Sequence, residues 1–148
     1  MAMMRNILTS MGALAFVWAA APSAYAADMK SPDTVKKSLG TLTRVVAHTQ
    51  RLIDAKNYDR IPHENEEFKE GAEALEKSVA GEPADFKTKI DPLLKQAEAD
   101  SQAVADAAKA HDDAKLASTH ATFDASVKTV VAAFPASVQP PPPAPPKK

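Results

Sequence analysis

Leu116, His120, Phe123, Val127, Val130 and Phe134 step along the C-terminal part of the chain at intervals of four, three, four, three and four. That rhythm places six side chains on one stripe of a helix facing a bundle core. Three earlier segments keep a similar rhythm. In the first, Ser31 supplies an N-cap and Pro32 the first helical position, where a missing N–H costs nothing. Val35, Leu39, Leu42, Val46 and Ile53 follow as the inner face, with Thr49 in the gap, and the helix is expected to end near Ala55 or Lys56. Asn57 to Pro62 reads as a polar turn.

The second helix is expected from about Glu64 to Ala80, with Phe68, Ala72, Leu75 and Val79 inward and Gly81 as its stop. Gly71 inside it costs about 1 kcal/mol of propensity, which a close helix contact would explain. Asp91-Pro92 repeats the cap-and-proline signal, so the third helix is expected from there to about Ala110. Leu94, Ala97, Ser101, Val104 and Ala108 are inward, Leu93 flanks them, and Phe86 and Ile90 lie in a helical lead-in or a packed loop. His111-Asp112-Asp113 is a short connection whose aspartates cap the fourth helix. Short connections make successive helices antiparallel neighbours, so the predicted fold is all-α, an up-down-up-down antiparallel four-helix bundle.

Both ends of the chain fall outside this pattern. Residues 1–26 carry Arg5, the apolar run Ile7 to Ala21, and Ala24-Tyr25-Ala26, the small-x-small site of a cleaved secretory signal peptide. The run is too short for a membrane span. The expected organisation is therefore a signal at 1–26, a bundle at 27–135 and a disordered Pro-rich tail at 136–148, in a periplasmic protein. Removing Arg5 with the leader takes the formal net charge from −1 to −2, which does not point to nucleic acid or an anionic membrane. Cysteine is absent, so disulfides, thiolate metal sites and thioether-linked haem are excluded.

With the helices in place, Ser126-Val127-Lys128-Thr129-Val130-Val131-Ala132-Ala133-Phe134 resembles the C-terminal helix of the class II cytochromes c, the cytochrome c-prime family. These are periplasmic four-helix bundles whose signature there is Cys-x-x-Cys-His followed by an aromatic. The register puts Val127 and Val130 at the two cysteines, Val131 at the axial histidine and Phe134 at the aromatic. Ala110-His111-Asp112-Asp113 is similar to the family's turn before that helix. Phe68-x-x-Gly71-x-x-x-Leu75 is similar to the second helix of the b-type bundle cytochromes. The resemblance implies the fold, while three valines in place of two cysteines and a ligand imply no covalent haem.

Four histidines remain as candidate chemistry. His63 and His111 fall at the end holding the first and third connections, with His48 and His120 about two turns below. Glu64, Glu66, Asp112 and Asp113 are the nearby carboxylates. Imidazole with carboxylate suits Cu(II) or Zn(II), giving an outer site of His63, His111 and Asp112 or an inner one of His48 and His120. The competing reading is two loop histidines on the surface and one core histidine bonded to a carbonyl or a hydroxyl such as Thr49. The charges from Glu66 to Lys77 read as a solvated face, with Glu73 and Lys77 as an i,i+4 pair. Neither a phosphate loop nor a nucleophile elbow appears, so nothing argues for an enzyme. The expected function is binding of a metal ion or small ligand, with a homodimer left open. The alternatives are an electron-transfer protein holding non-covalent haem through His120 or His48, and a structural or interaction protein tethered by its tail.

Overall fold

The computed structural model describes residues 29–141, so the expected signal at 1–26 and the end of the tail lie outside the described residues. Among the described residues there are four α-helices, α1 (Pro32–Asp54), α2 (Ile61–Ser78), α3 (Ala84–Lys109) and α4 (Asp113–Ala132), and no strand. Each helix packs on its chain neighbour, and α1 also packs on α4, which closes the bundle around one core. No helix among the described residues is long and apolar enough to cross a membrane.

The stripes explain the packing. Val35, Leu39, Leu42 and Val46 of α1 are buried as their spacing requires. Near the helix end Leu52 takes the core position, and Ile53, expected there, is half-buried beside it. Ser31 makes no side-chain cap bond; its backbone carbonyl instead accepts from the Val35 N–H at 3.0 Å. Phe68, Ala72 and Leu75 of α2 are buried, and Gly71 lies where α2 crosses α1 closely. A Cβ at Gly71 would stand 3.0 Å from Leu42 Cδ2 and 3.2 Å from Thr41 Cγ2, so the contact explains the glycine.

Two boundaries differ from the sequence expectation. The first is the start of α2, which begins at Ile61 with Pro62 in its opening turn, so that Ile61 enters the core. The second is the start of α3, which begins at Ala84, seven residues before Asp91-Pro92, with Pro92 inside the helix. A proline there costs about 3 kcal/mol through its missing N–H and its ring. Pro92 and Thr88, one turn earlier, are both exposed, so water can satisfy the carbonyl left without a donor. Burying Phe86 and Ile90 on the added turns contributes roughly 1.5–3 kcal/mol each and outweighs the cost.

Asp112 caps α4, its Oδ1 accepting from the Lys115 backbone N–H at 2.9 Å. Leu116, His120, Phe123, Val127 and Val130 are buried along the helix, and Phe134 continues the core just beyond it. Residues 136–138, expected in the tail, form a single 3-10 turn instead. Val138 is buried there, and Gln139 Nε2 donates to the Phe134 carbonyl at 2.8 Å. The apolar side chain of Val138 keeps the chain on the bundle past Pro135.

Candidate binding site

Five of the six buried polar residues among the described residues gather where α1 meets the start of α2 and α3 meets α4: Thr49 on α1, Glu64 and Asn65 on α2, Ser101 on α3 and His120 on α4. The sixth, Ser38, lies apart from them near the start of α1. Helix periodicity puts Glu64 there, because it lies four residues before Phe68 and so on the same face. Thr49 Oγ1 donates to the Val45 carbonyl at 2.9 Å within its own helix. Asn65 ties α2 to α3, accepting from Ser101 Oγ at 2.9 Å and donating to Gln102 Oε1 at 3.0 Å. These groups are satisfied within the protein.

His120 occupies an apolar position of the α4 stripe and is 7% exposed. Its Nε2 lies 3.1 Å from the Val46 carbonyl. A carbonyl only accepts, so Nε2 carries the proton and donates. The ring also stands edge-to-face with Phe123 at 6.4 Å, and Phe123 packs in the same way on Phe68 at 4.8 Å. A core histidine bonded to a backbone carbonyl describes this residue.

Glu64 differs. Its carboxylate is 2% exposed, and Oε1 lies 2.9 Å from Nδ1 of His48 on α1. The second oxygen, Oε2, is buried without a hydrogen-bond partner. His48 is 31% exposed and forms the solvent side of the pair. A buried unpaired carboxylate oxygen costs about 1–3 kcal/mol or more, so this is the position at which the polar layer is incomplete.

The other expected site residues have separate partners. His63 is 67% exposed, with Nε2 3.6 Å from Glu67 Oε1, and Arg44 reaches the other Glu67 oxygen at 3.2 Å. His111 adopts a left-handed backbone at φ 51° and packs its ring on Tyr58 at 5.5 Å. Asp112 is committed to the α4 cap. Its neighbour Asp113 accepts from the Tyr58 hydroxyl and from Lys56 Nζ at 2.8 Å, tying the first connection to the start of α4. Among the described residues, no three His, Asp or Glu side chains group to hold a metal ion.

The Lys56 and Tyr58 hydrogen bonds hold the Asp113 carboxyl below its ordinary range. The same bond to Asp113 raises the Tyr58 hydroxyl, helped by burial. On the α2–α3 side, burial and then the Glu76 charge raise the Glu98 carboxyl. A groove of about 310 Å³ runs between α1 and α2 over Gly71, lined by Thr41, Arg44, Glu67, Glu70 and Ala74. It is open and charged, and Arg44 and Glu67 already pair within it.

No protein-family model matches this chain, nor does any curated protein or solved structure. Val127 and Val130, which the sequence resemblance set against cysteines, are buried in the core, and Val131 is half-buried against it. The sequence pattern missed Asn65 as a buried tie and Tyr58 as an anchor.

Proposed function

We propose that this is an exported periplasmic binding protein and not an enzyme. In this reading it is a haem-free, cytochrome c-prime-like, up-down-up-down bundle that takes a transition metal ion or small ligand at its polar end. One observation carries the reading: Glu64 is buried with Oε1 on His48 and Oε2 without a partner. Replacing the pair with apolar side chains would cost the fold little. An incomplete carboxylate at a buried position is accounted for by a ligand that completes it. Support for the helix order comes from Lys56 and Tyr58 meeting Asp113 at one end, and from the Lys30 N–H meeting Glu82 Oε1 at 2.8 Å at the other.

The test is the absorption spectrum and elemental analysis of the protein purified from its own cellular compartment, with native mass spectrometry on the same sample. A stoichiometric metal or small-molecule adduct without a Soret band is expected. A Soret band would replace this reading with a non-covalent haem protein using His120 or His48. A bare polypeptide in all three measurements would leave the structural role.

A further inference from the structure

Resting on the reading of the chain as a binding protein, we propose that Glu64 and His48 are the protein donors of a Cu(II) site, the metal replacing the proton they share. The separation of the pair fits that chemistry. Oxygen and nitrogen donors each about 2.0–2.1 Å from one metal lie about 2.9 Å apart when they meet it at a right angle, and about 3.3 Å apart at a tetrahedral angle. Nδ1 and Oε1 are 2.9 Å apart. That is also the length of an ordinary N–H···O hydrogen bond. The choice of Cu(II) over Zn(II) therefore rests on the donor set, one imidazole nitrogen and one carboxylate oxygen, for which Cu(II) has the higher affinity.

The binding step conserves protons. A neutral His48 donating through Nδ1 has a bare Nε2; when Nδ1 takes the metal, the ring proton moves to Nε2 and the imidazole stays neutral. Oε2 is the independent observation. It is buried with no donor, and it can accept from a water bound to the metal, as the outer partners of metal sites do. His48, partly exposed, gives the ion its way in, and water fills the remaining positions. His120 is not a ligand, since its Nε2 is committed to the Val46 carbonyl.

The experiment titrates the metal-free full chain with Cu(II), and separately with Zn(II), by calorimetry, and records the electron paramagnetic resonance spectrum of the copper form. Three variants accompany it: Glu64→Gln, His48→Ala and the double variant His63→Ala/His111→Ala. Expected are a single Cu(II) site bound at least about ten-fold more tightly than Zn(II), a tetragonal spectrum and coupling to one imidazole nitrogen. Glu64→Gln and His48→Ala should each weaken binding at least about ten-fold, while the double variant leaves it unchanged. Copper binding that is equal in all four proteins, or lost only in the double variant, would overturn this site while leaving a metal-binding protein. No copper binding to the wild-type chain would also overturn it, and the purified-sample analysis would then decide the broader reading alone. If a variant fails to fold, the wild-type spectrum decides, because a spectrum without imidazole nitrogen excludes His48.

Discussion

The two ends of the bundle are built on different principles. Where α1 begins and α2 meets α3, the closing side chains are apolar with the single exception of Ser38. Val35, Leu39, Val79, Phe86, Phe134 and Val138 are all buried, with Phe86 and Phe134 edge-to-face at 5.3 Å. At the opposite end Thr49, Glu64, Asn65, Ser101 and His120 enter the interior, and directional bonds join one helix to another. An apolar end draws its stability from area removed from water and has no preferred ligand. A polar end fixes helix positions but leaves a cost wherever one group lacks a partner. Glu64 Oε2 is that group, so the end that gives up stability is also the end that offers chemistry.

Truncation at the apolar end should give the largest effect. Phe134→Ala removes a buried ring and its contact with Phe86, at an expected loss of about 3–5 kcal/mol in urea unfolding. A loss below about 1 kcal/mol would mean that Phe134 is not part of the core, and the contrast between the ends would fail.

The opposite sign is expected at the polar end. Glu64→Leu/His48→Leu replaces the pair together, removes the unpaired oxygen and fills the space with apolar volume, so stability should rise by about 1–3 kcal/mol in the same assay. The copper binding proposed for Glu64 should disappear in the same variant. A clear loss of stability would show that the bond to His48 is worth more than the burial of the charge, and the polar end would then be ordinary structural bonding.

The sequence carried the apolar end more fully than the polar one, for a physical reason. Burial of Leu39, Phe68, Leu94, Phe123 and Phe134 follows from helical spacing, because apolar area is non-directional and needs only the correct face. The start of α3 was misplaced because Asp91-Pro92 has the form of a helix opening. What decides it is the burial of Phe86 and Ile90 on earlier turns, a tertiary gain that local signals do not contain. At the polar end the sequence named the histidines as candidates but not their partners. Hydrogen bonds depend on which atoms meet across helices, and helical spacing does not determine that. Thus His48 faces Glu64, His63 faces Glu67, and His120 bonds to a backbone carbonyl that side-chain patterns cannot mark.

The smallest expected effect lies at the outer rim of the polar end, where Tyr58 and Lys56 both donate to Asp113. Their exposure keeps the contribution to stability small, since surface pairs are screened by water and salt. The titration is nevertheless readable. Asp113 holds its proton less well than usual, so its share of the tie is present above the ordinary carboxylate range and is lost as the pH falls through its lowered value. Tyr58 is shifted the other way, so its share is present below about 10 and fades as the pH rises through its raised value. The tie is therefore complete across the neutral range and opens at both extremes. Ultraviolet titration of tyrosinate in the chain from Ala27 onward, where Tyr58 is the only tyrosine, should show a midpoint above that of free tyrosine. Asp113→Asn should bring the midpoint down towards the free value, because the hydrogen bond to a charged acceptor is the largest cause of the shift. An unchanged midpoint would mean that Tyr58 does not hold Asp113 in solution, and the α1–α2 connection would have to be anchored by Lys56 alone.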